Sequence, residues 1–339
     1  MPWEGEVLVS MAERCTEMKE YGGYLPIDLR DTGEYYGDGY NLIRLNSGRS
    51  AIVKAIKDSK EERVWLPWYM CESVRTALDE NYIKYNLYYI DKNFMPEDID
   101  YEDNDILIWA NYFGLQGDDV ISTLIKKYNN IIFDNTQAFY SKPVRAQFNV
   151  YSPRKFFGLP DGAYLIGDRI AQESLQRDIS YDTSGFLLTS LEAGTNSKYQ
   201  ESLINEKRIE DSGILGMSIL TEKLLCNIDY KLVYDKRREN FQKLAEKLGH
   251  FNELDIELSE DNCPMVYPFL YKSETLRSKL VSDHIYVPQW WKWIIGNGAD
   301  TFEEYLAKYL IPLPIDQRYG VEDMDHISEF VIKCIDGGI

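Results

Sequence analysis

The sequence predicts a two-domain α/β protein, with a large domain around a mostly parallel sheet followed by a smaller α+β domain. Three observations carry that expectation. At 339 residues, 44% of them hydrophobic, the chain is long enough for about two domains with sizeable cores. From about residue 40 to residue 134, short apolar runs of strand length alternate with helical periods, the spacing of β–α–β units. From residue 171 to about 249 the pattern turns mostly helical and highly charged, and beyond it strand and helix signals mix again. The division is placed at residue 227, giving a large domain over 1–227 and a small one over 228–339.

Taken in order, 41–45 (NLIRL) reads as a strand and 51–56 (AIVKAI) opens an amphipathic helix. Residues 64–66 form a strand that ends at Pro67, which has no N–H to give to a ladder, and a helix over 72–80 follows. Residues 85–90, 106–109 and 131–133 are further short apolar strands, the last two separated by a helical run over 119–128. Another strand ends at Val150. The second half contains a long helical run over 229–248, a strand over 265–271, a helix near 276–283, the stretch Tyr286-Val287-Pro288 and a last helix from about 321 to 335. There is no internal repeat and no low-complexity segment.

Composition excludes several classes of function. The 56 acidic residues outnumber the 37 basic ones and leave a net charge of −19, a field that repels nucleic-acid backbones and anionic lipid. A local basic pocket for one anionic ligand stays compatible with that total. With 26 Tyr, 13 Phe and 7 Trp the chain is far too aromatic for a disordered one. The cysteines (Cys15, Cys71, Cys226, Cys263, Cys334) are odd in number, widely spaced and without a Cys-x-x-Cys pair, as expected of a reducing compartment. His250, His284 and His326 offer little material for a zinc site or a Ser-His-Asp arrangement. The start has no basic segment ahead of an apolar run, and no apolar stretch approaches a bilayer span, so a cytoplasmic location is expected.

Ligands of open α/β sheets sit at the carboxyl ends of the strands. Polar residues follow four of them: Asn46-Ser47-Gly48-Arg49-Ser50, Asn111, Asp134-Asn135-Thr136-Gln137 and Ser152-Pro153-Arg154-Lys155. The Ser47–Ser50 turn is either an anion cradle of backbone amides or a plain helix cap, and the cap is the simpler reading of the tetrapeptide alone. Asp134 suits a ring nitrogen, a metal or a helix cap. Lys155 precedes Phe156 and Phe157, and a lysine walled by aromatics loses hydration, which favours the neutral amine needed for imine formation. The bland reading is a surface lysine beside Arg154. The run Tyr286-Val287-Pro288-Gln289-Trp290-Trp291-Lys292-Trp293 is either a substrate wall or a packing cluster. Arg318 either binds a donor carboxylate or pairs with Asp316 or Glu322.

An anion cradle, then an aspartate, then a lysine 21 residues further on is the order a pyridoxal 5'-phosphate site needs. At this point the sequence resembles the DegT/DnrJ-type aminotransferases, fold-type I members of the aspartate aminotransferase superfamily. The matching stretches are NSGRSAI, VWLPWYMCESV, NYFG, IIFDNTQAF and YSPRKFFGLPDGAYLIGD, in register over about the first half of the chain.

The resemblance implies a three-layer fold-type I large domain and a PLP-dependent aminotransferase, which moves an amino group from an amino acid to a keto-sugar, expected to be nucleotide-linked. It also implies a homodimer. Lys155 would be the Schiff-base lysine and Asp134 the partner of the ring nitrogen. Gln137 and Asn111 would lie by the cofactor's phenolic oxygen. Gly48 and the amides of Arg49 and Ser50, with Ser152, would hold the phosphate. The chain departs from the family at Arg49, where threonine is usual, and at Val150, where serine is frequent. It departs also at Cys71, where an aromatic often covers the ring; Trp68 or Tyr69 are the substitutes. A partner-chain loop with its glycine and asparagine is not evident between Thr189 and Ile214. These differences point to a divergent branch. A non-catalytic descendant, or an enzyme of decarboxylation or elimination, are the alternatives.

Overall fold

The alternating first half builds one seven-stranded sheet in the computed structural model, which describes residues 21–37, 39–298 and 300–337. The strands are β1 (Leu42–Leu45), β2 (Arg63–Pro67), β3 (Tyr85–Tyr88), β4 (Asp105–Ala110), β5 (Ile131–Asn135), β6 (Phe148–Tyr151) and β7 (Ala163–Ile166). Their order across the sheet is β1-β7-β6-β5-β4-β2-β3. Residues 1–30 and 31–339 are separate units, and of the first, residues 21–30 are described, as mostly exposed chain without helix or strand. Cys15 and the opening residues free of a signal pattern lie outside the described residues.

Pairing is parallel from β3 through β2, β4 and β5 to β6. β7 runs antiparallel to both β6 and β1. Two reversals restore direction, so β1 points the same way as the parallel strands and ends at their carboxyl rim. β7 was not evident from the sequence, because AYLI is a short apolar run behind a Gly- and Pro-containing loop, with no alternation to mark it. Central strands buried on both faces read as continuous apolar runs, and all six residues of β4 and all five of β5 are buried.

Three helices connect the parallel strands: α1 (Gly48–Ser59), α2 (Glu72–Glu80) and α3 (Asp118–Lys127). Ser47 caps α1 by accepting the Ser50 N–H at 3.3 Å, and Lys60 ends it in a left-handed conformation. α1 buries Ile52, Val53 and Ile56 against Leu66, Leu107, Ile108 and Ile132 of the sheet in one core.

The charged stretch after the sheet forms α4 (Gly185–Ala193), α5 (Tyr199–Asp211) and α6 (Ile219–Leu225), followed by the long α7 (Tyr230–Leu248). The chain then adds α8 (Leu276–Ser282), α9 (Phe302–Tyr309) and α10 (Val321–Ile335), and a second sheet pairs β8 (Tyr267–Leu270) antiparallel with β9 (Leu310–Leu313). Its core joins Phe241 and Leu244 of α7, Phe269, Ile311, and Met324 and Val331 of α10. α9 and β9 were not foreseen, and Tyr286-Val287-Pro288 forms no strand. Among the described residues no helix is long and apolar enough to cross a membrane.

Candidate active site

Five strand ends meet around a cavity of about 310 Å³. Past β1 it is lined by Ser47, Gly48 and Arg49, and past β2 by Tyr69, Met70 and Cys71. Ala110 ends β4 there, β5 contributes Asp134, Thr136 and Gln137, and β6 leads into Ser152, Arg154 and Lys155. The strand ends pack closely. A Cβ added to Gly48 would lie 3.0 Å from Thr136 Cγ2 and 3.8 Å from Ser152 Cβ, a tight fit in which the Thr136 methyl would have to give way.

The lysine and the aspartate of the sequence reading therefore share one pocket. Lys155 Nζ donates to Thr136 Oγ1 at 3.1 Å. Asp134 is buried; its Oδ1 accepts the Thr136 N–H at 3.0 Å, while Oδ2 has no hydrogen-bond partner among the described residues. Gln137 Oε1 accepts the Phe113 N–H at 2.9 Å. The N–H groups of Gly48 and Arg49 likewise have no partner among the described residues, as expected for the first turn of a helix.

Three expectations are corrected. Ser50 does not line the cavity: its amide bonds the Ser47 cap, and its hydroxyl bonds Ser47 Oγ at 2.8 Å and donates to the Gly213 carbonyl at 3.1 Å. For Ser50 the plain cap is the right description. Asn111 is fully buried and absent from the lining; Nδ2 donates to Ser141 Oγ at 3.1 Å and Oδ1 accepts the Gln116 N–H. Its amide is spent on closing the turn after β4. Lys155 has no aromatic sleeve. It is exposed, while Phe156 and Phe157 turn into a separate core with Phe139 and Leu159.

The loop after the lysine is tied down from behind. The Phe156 carbonyl accepts from Arg237 Nη2 of α7 at 3.2 Å and from Gln317 Nε2 at 2.9 Å, and the Arg237 guanidinium lies 4.6 Å from the Phe156 ring centroid. Asp161 is buried and accepts the Ser218 N–H at 2.8 Å and the Ser218 hydroxyl at 2.7 Å, at the start of α6. On the other side, Phe113 and Gly114 both take left-handed conformations. A Cβ on Gly114 would stand 2.8 Å from the Gln137 carbonyl oxygen and 2.9 Å from that of Cys263. G114A is expected to cost about 1–3 kcal/mol through strain and collision with fixed backbone, read as a lower urea midpoint at unchanged m.

Thr136, Arg154, Trp291 and Glu206 also line the cavity without having been assigned to it from the sequence. Thr136 lay in the strand-end tetrapeptide, and its position two beyond Asp134 was the available signal. Of the aromatic run, Trp291 faces the cavity with left-handed backbone (φ 52°, ψ 48°) and its ring 4.2 Å from that of Tyr69. Trp293 instead packs, donating to the Met70 carbonyl at 3.2 Å beneath Arg75, and Trp290 stacks on Phe113. Trp68 packs edge-on against Trp293 and stays off the lining, leaving Tyr69 and Cys71 as its nearest cavity residues in sequence. Arg318 pairs with Asp316 through Nε–Oδ1 at 2.7 Å and Nη2–Oδ2 at 2.8 Å. That pair holds the Arg318 charge and lowers the Asp316 carboxyl against the opposing effect of burial.

No family model matches the sequence, and no curated protein matches it. Solved structures do match in fold. The sugar aminotransferase CalS13 from Micromonospora echinospora superposes with a TM-score of 0.58 at 13% identity, over 86% of this chain and 86% of that one. A DegT DnrJ EryC1 StrS aminotransferase from Brucella abortus gives 0.53 at 14% identity, over 86% of each chain. The E. coli GDP-4-keto-6-deoxy-D-mannose-3-dehydratase, with bound hydrated PLP, gives 0.58 at 14% identity, over 89% of this chain and 88% of that one. The chain thus has the fold-type I architecture, a mostly parallel seven-stranded sheet with flanking helices.

Proposed function

We propose that the chain is a PLP-dependent aminotransferase that passes an amino group from an amino acid to a nucleotide-linked keto-sugar. The observation that carries this reading is the meeting of Lys155, Asp134 and the Gly48-Arg49 turn on one cavity at the carboxyl rim of the sheet. The residues fit the cofactor: an amine for its aldehyde, a carboxylate oxygen without a partner for its ring nitrogen, and unpaired amides for its phosphate. When bound, the cofactor supplies a pyridinium ring that draws electrons from the substrate's α-carbon. Asp134 Oδ2 would accept the ring N–H and hold the proton there. Lys155 Nζ, positioned by Thr136 Oγ1, would take a proton from the substrate carbon and return one as base and then acid. The amides of Gly48 and Arg49 and the Ser152 hydroxyl would hold the phosphate. Tyr69, Cys71 and Trp291 wall the pocket, and Gln137, which also lines it, would lie by the phenolic oxygen.

The keto-sugar acceptor is supported by likeness in fold to sugar aminotransferases. A homodimer in the cytoplasm belongs to the same reading. Exposed apolar residues on α4 and α5, among them Leu188, Leu191, Leu203 and Ile204, support a second copy as their cover. The dehydratase of similar fold favours a second reading, the same cofactor with an elimination outcome.

The test is spectroscopic. Protein purified with PLP is expected to show an absorption band of the bound cofactor that shifts to the amine form on adding glutamate. A band indifferent to every amino acid overturns transamination, and no band at all overturns cofactor binding.

A further inference from the structure

Two arginines meet in the cavity. Arg49 stands in the first turn of α1 and Arg154 directly before Lys155, and each side chain is only 16% exposed. Burial, with the Arg49 charge adding to it, pushes the Arg154 guanidinium down to about 10. Arg154 Nε is buried without a hydrogen-bond partner. Asp161 adds a favourable field at Arg154, but among the described residues no carboxylate of the strand ends lies within ion-pair distance of either cation. Both borrow one from α5, where Glu206 pairs with Arg154 and Glu210 Oε1 lies 3.6 Å from Arg49 Nη1. Spaced four apart, the two carboxylates share one helix face. Glu206 lines the cavity and is 49% exposed.

We propose that Glu206 and Glu210 are exchangeable counter-anions: a phosphate monoester entering the cavity takes Arg49 and Arg154 from them, so phosphate affinity is set against α5's own carboxylates. The identity of that ester as the cofactor's phosphate rests on the function proposed above; the exchange itself needs only the phosphate group. A phosphate dianion offers three acceptors to a site with two guanidinium groups, one of them with an unused Nε–H, and two unpaired amides. A carboxylate left beside that dianion is a like-charge contact. The carboxylates are therefore displaced from the two guanidinium groups when the ligand arrives, while α5 stays anchored through Asn205, whose Nδ2 donates to the Pro160 carbonyl at 2.7 Å.

The exchange is tested by calorimetric titration of the full chain with inorganic phosphate, PLP and pyridoxal, which lacks the phosphate. E206Q, at an exposed position, is expected to bind phosphate and PLP roughly tenfold tighter than the natural chain, with E206Q/E210Q tighter still. Pyridoxal binding is expected to stay unchanged, as is phosphate binding to E246Q, which removes a charge from the exposed face of α7. Equal or weaker phosphate binding in E206Q overturns the exchange, as does an equal gain in E246Q or the lack of any phosphate binding. If phosphate binding tightens in E206Q while PLP gives no absorption band, the exchange stands and the proposed function falls.

Discussion

K155A is expected to abolish amino transfer and to leave the fold intact. Lys155 is exposed, and among the described residues the single hydrogen bond its side chain makes is the one to Thr136 Oγ1. Its loss should move stability by no more than about 0.5 kcal/mol, the usual range for such a surface position. Chemistry is a different matter, because both half-reactions need one amine to carry a proton at the reacting carbon. Among the described residues no other lysine lines the cavity. Single-turnover mixing with glutamate, alongside a thermal melt, separates the two effects. Full transamination by a folded K155A protein would falsify the mechanism.

D134N is expected to lower turnover on the order of a thousandfold, the scale seen when a charge-stabilising group is removed from a preorganised site. The substitution is chosen because the asparagine oxygen can still accept the Thr136 N–H, so the turn after β5 survives. What disappears is the negative charge proposed to face the ring nitrogen. Cofactor should still bind, through Lys155 and the phosphate end, so the absorption band remains while the glutamate-driven shift slows. A D134N protein as fast as the natural one would remove Asp134 from the chemistry and leave it a turn-former.

What the sequence made legible follows from which forces are local. Strand and helix alternation recovered β1 to β6 and α1 to α3, because most of them bury an apolar stripe or run of their own. β7 and β9 are four-residue strands whose existence depends on partners far along the chain, β1 and β6 in one case and β8 in the other. The same division runs through the site. Residues at or just past strand ends, Gly48, Asp134, Ser152 and Lys155, line the cavity at the rim to which their positions pointed. Asn111 shares that position yet turns inward, because Ser141 and the Gln116 amide compete for its side chain. Glu206 and Trp291 reach the cavity from α5 and from the segment before α9, and only tertiary packing brings them there.

The carbonyl of Phe156 has a consequence for motion. It sits one residue past the lysine and is gripped by Arg237 and Gln317, which come from the C-terminal third of the chain. Any rocking of α7 that leaves those bonds intact drags the peptide next to Lys155 along with it. Whatever substrate contacts the C-terminal third makes are then mechanically geared to the direction in which the amine points. Severing the grip should uncouple the two, and the amine would wander while the rest of the pocket keeps its shape.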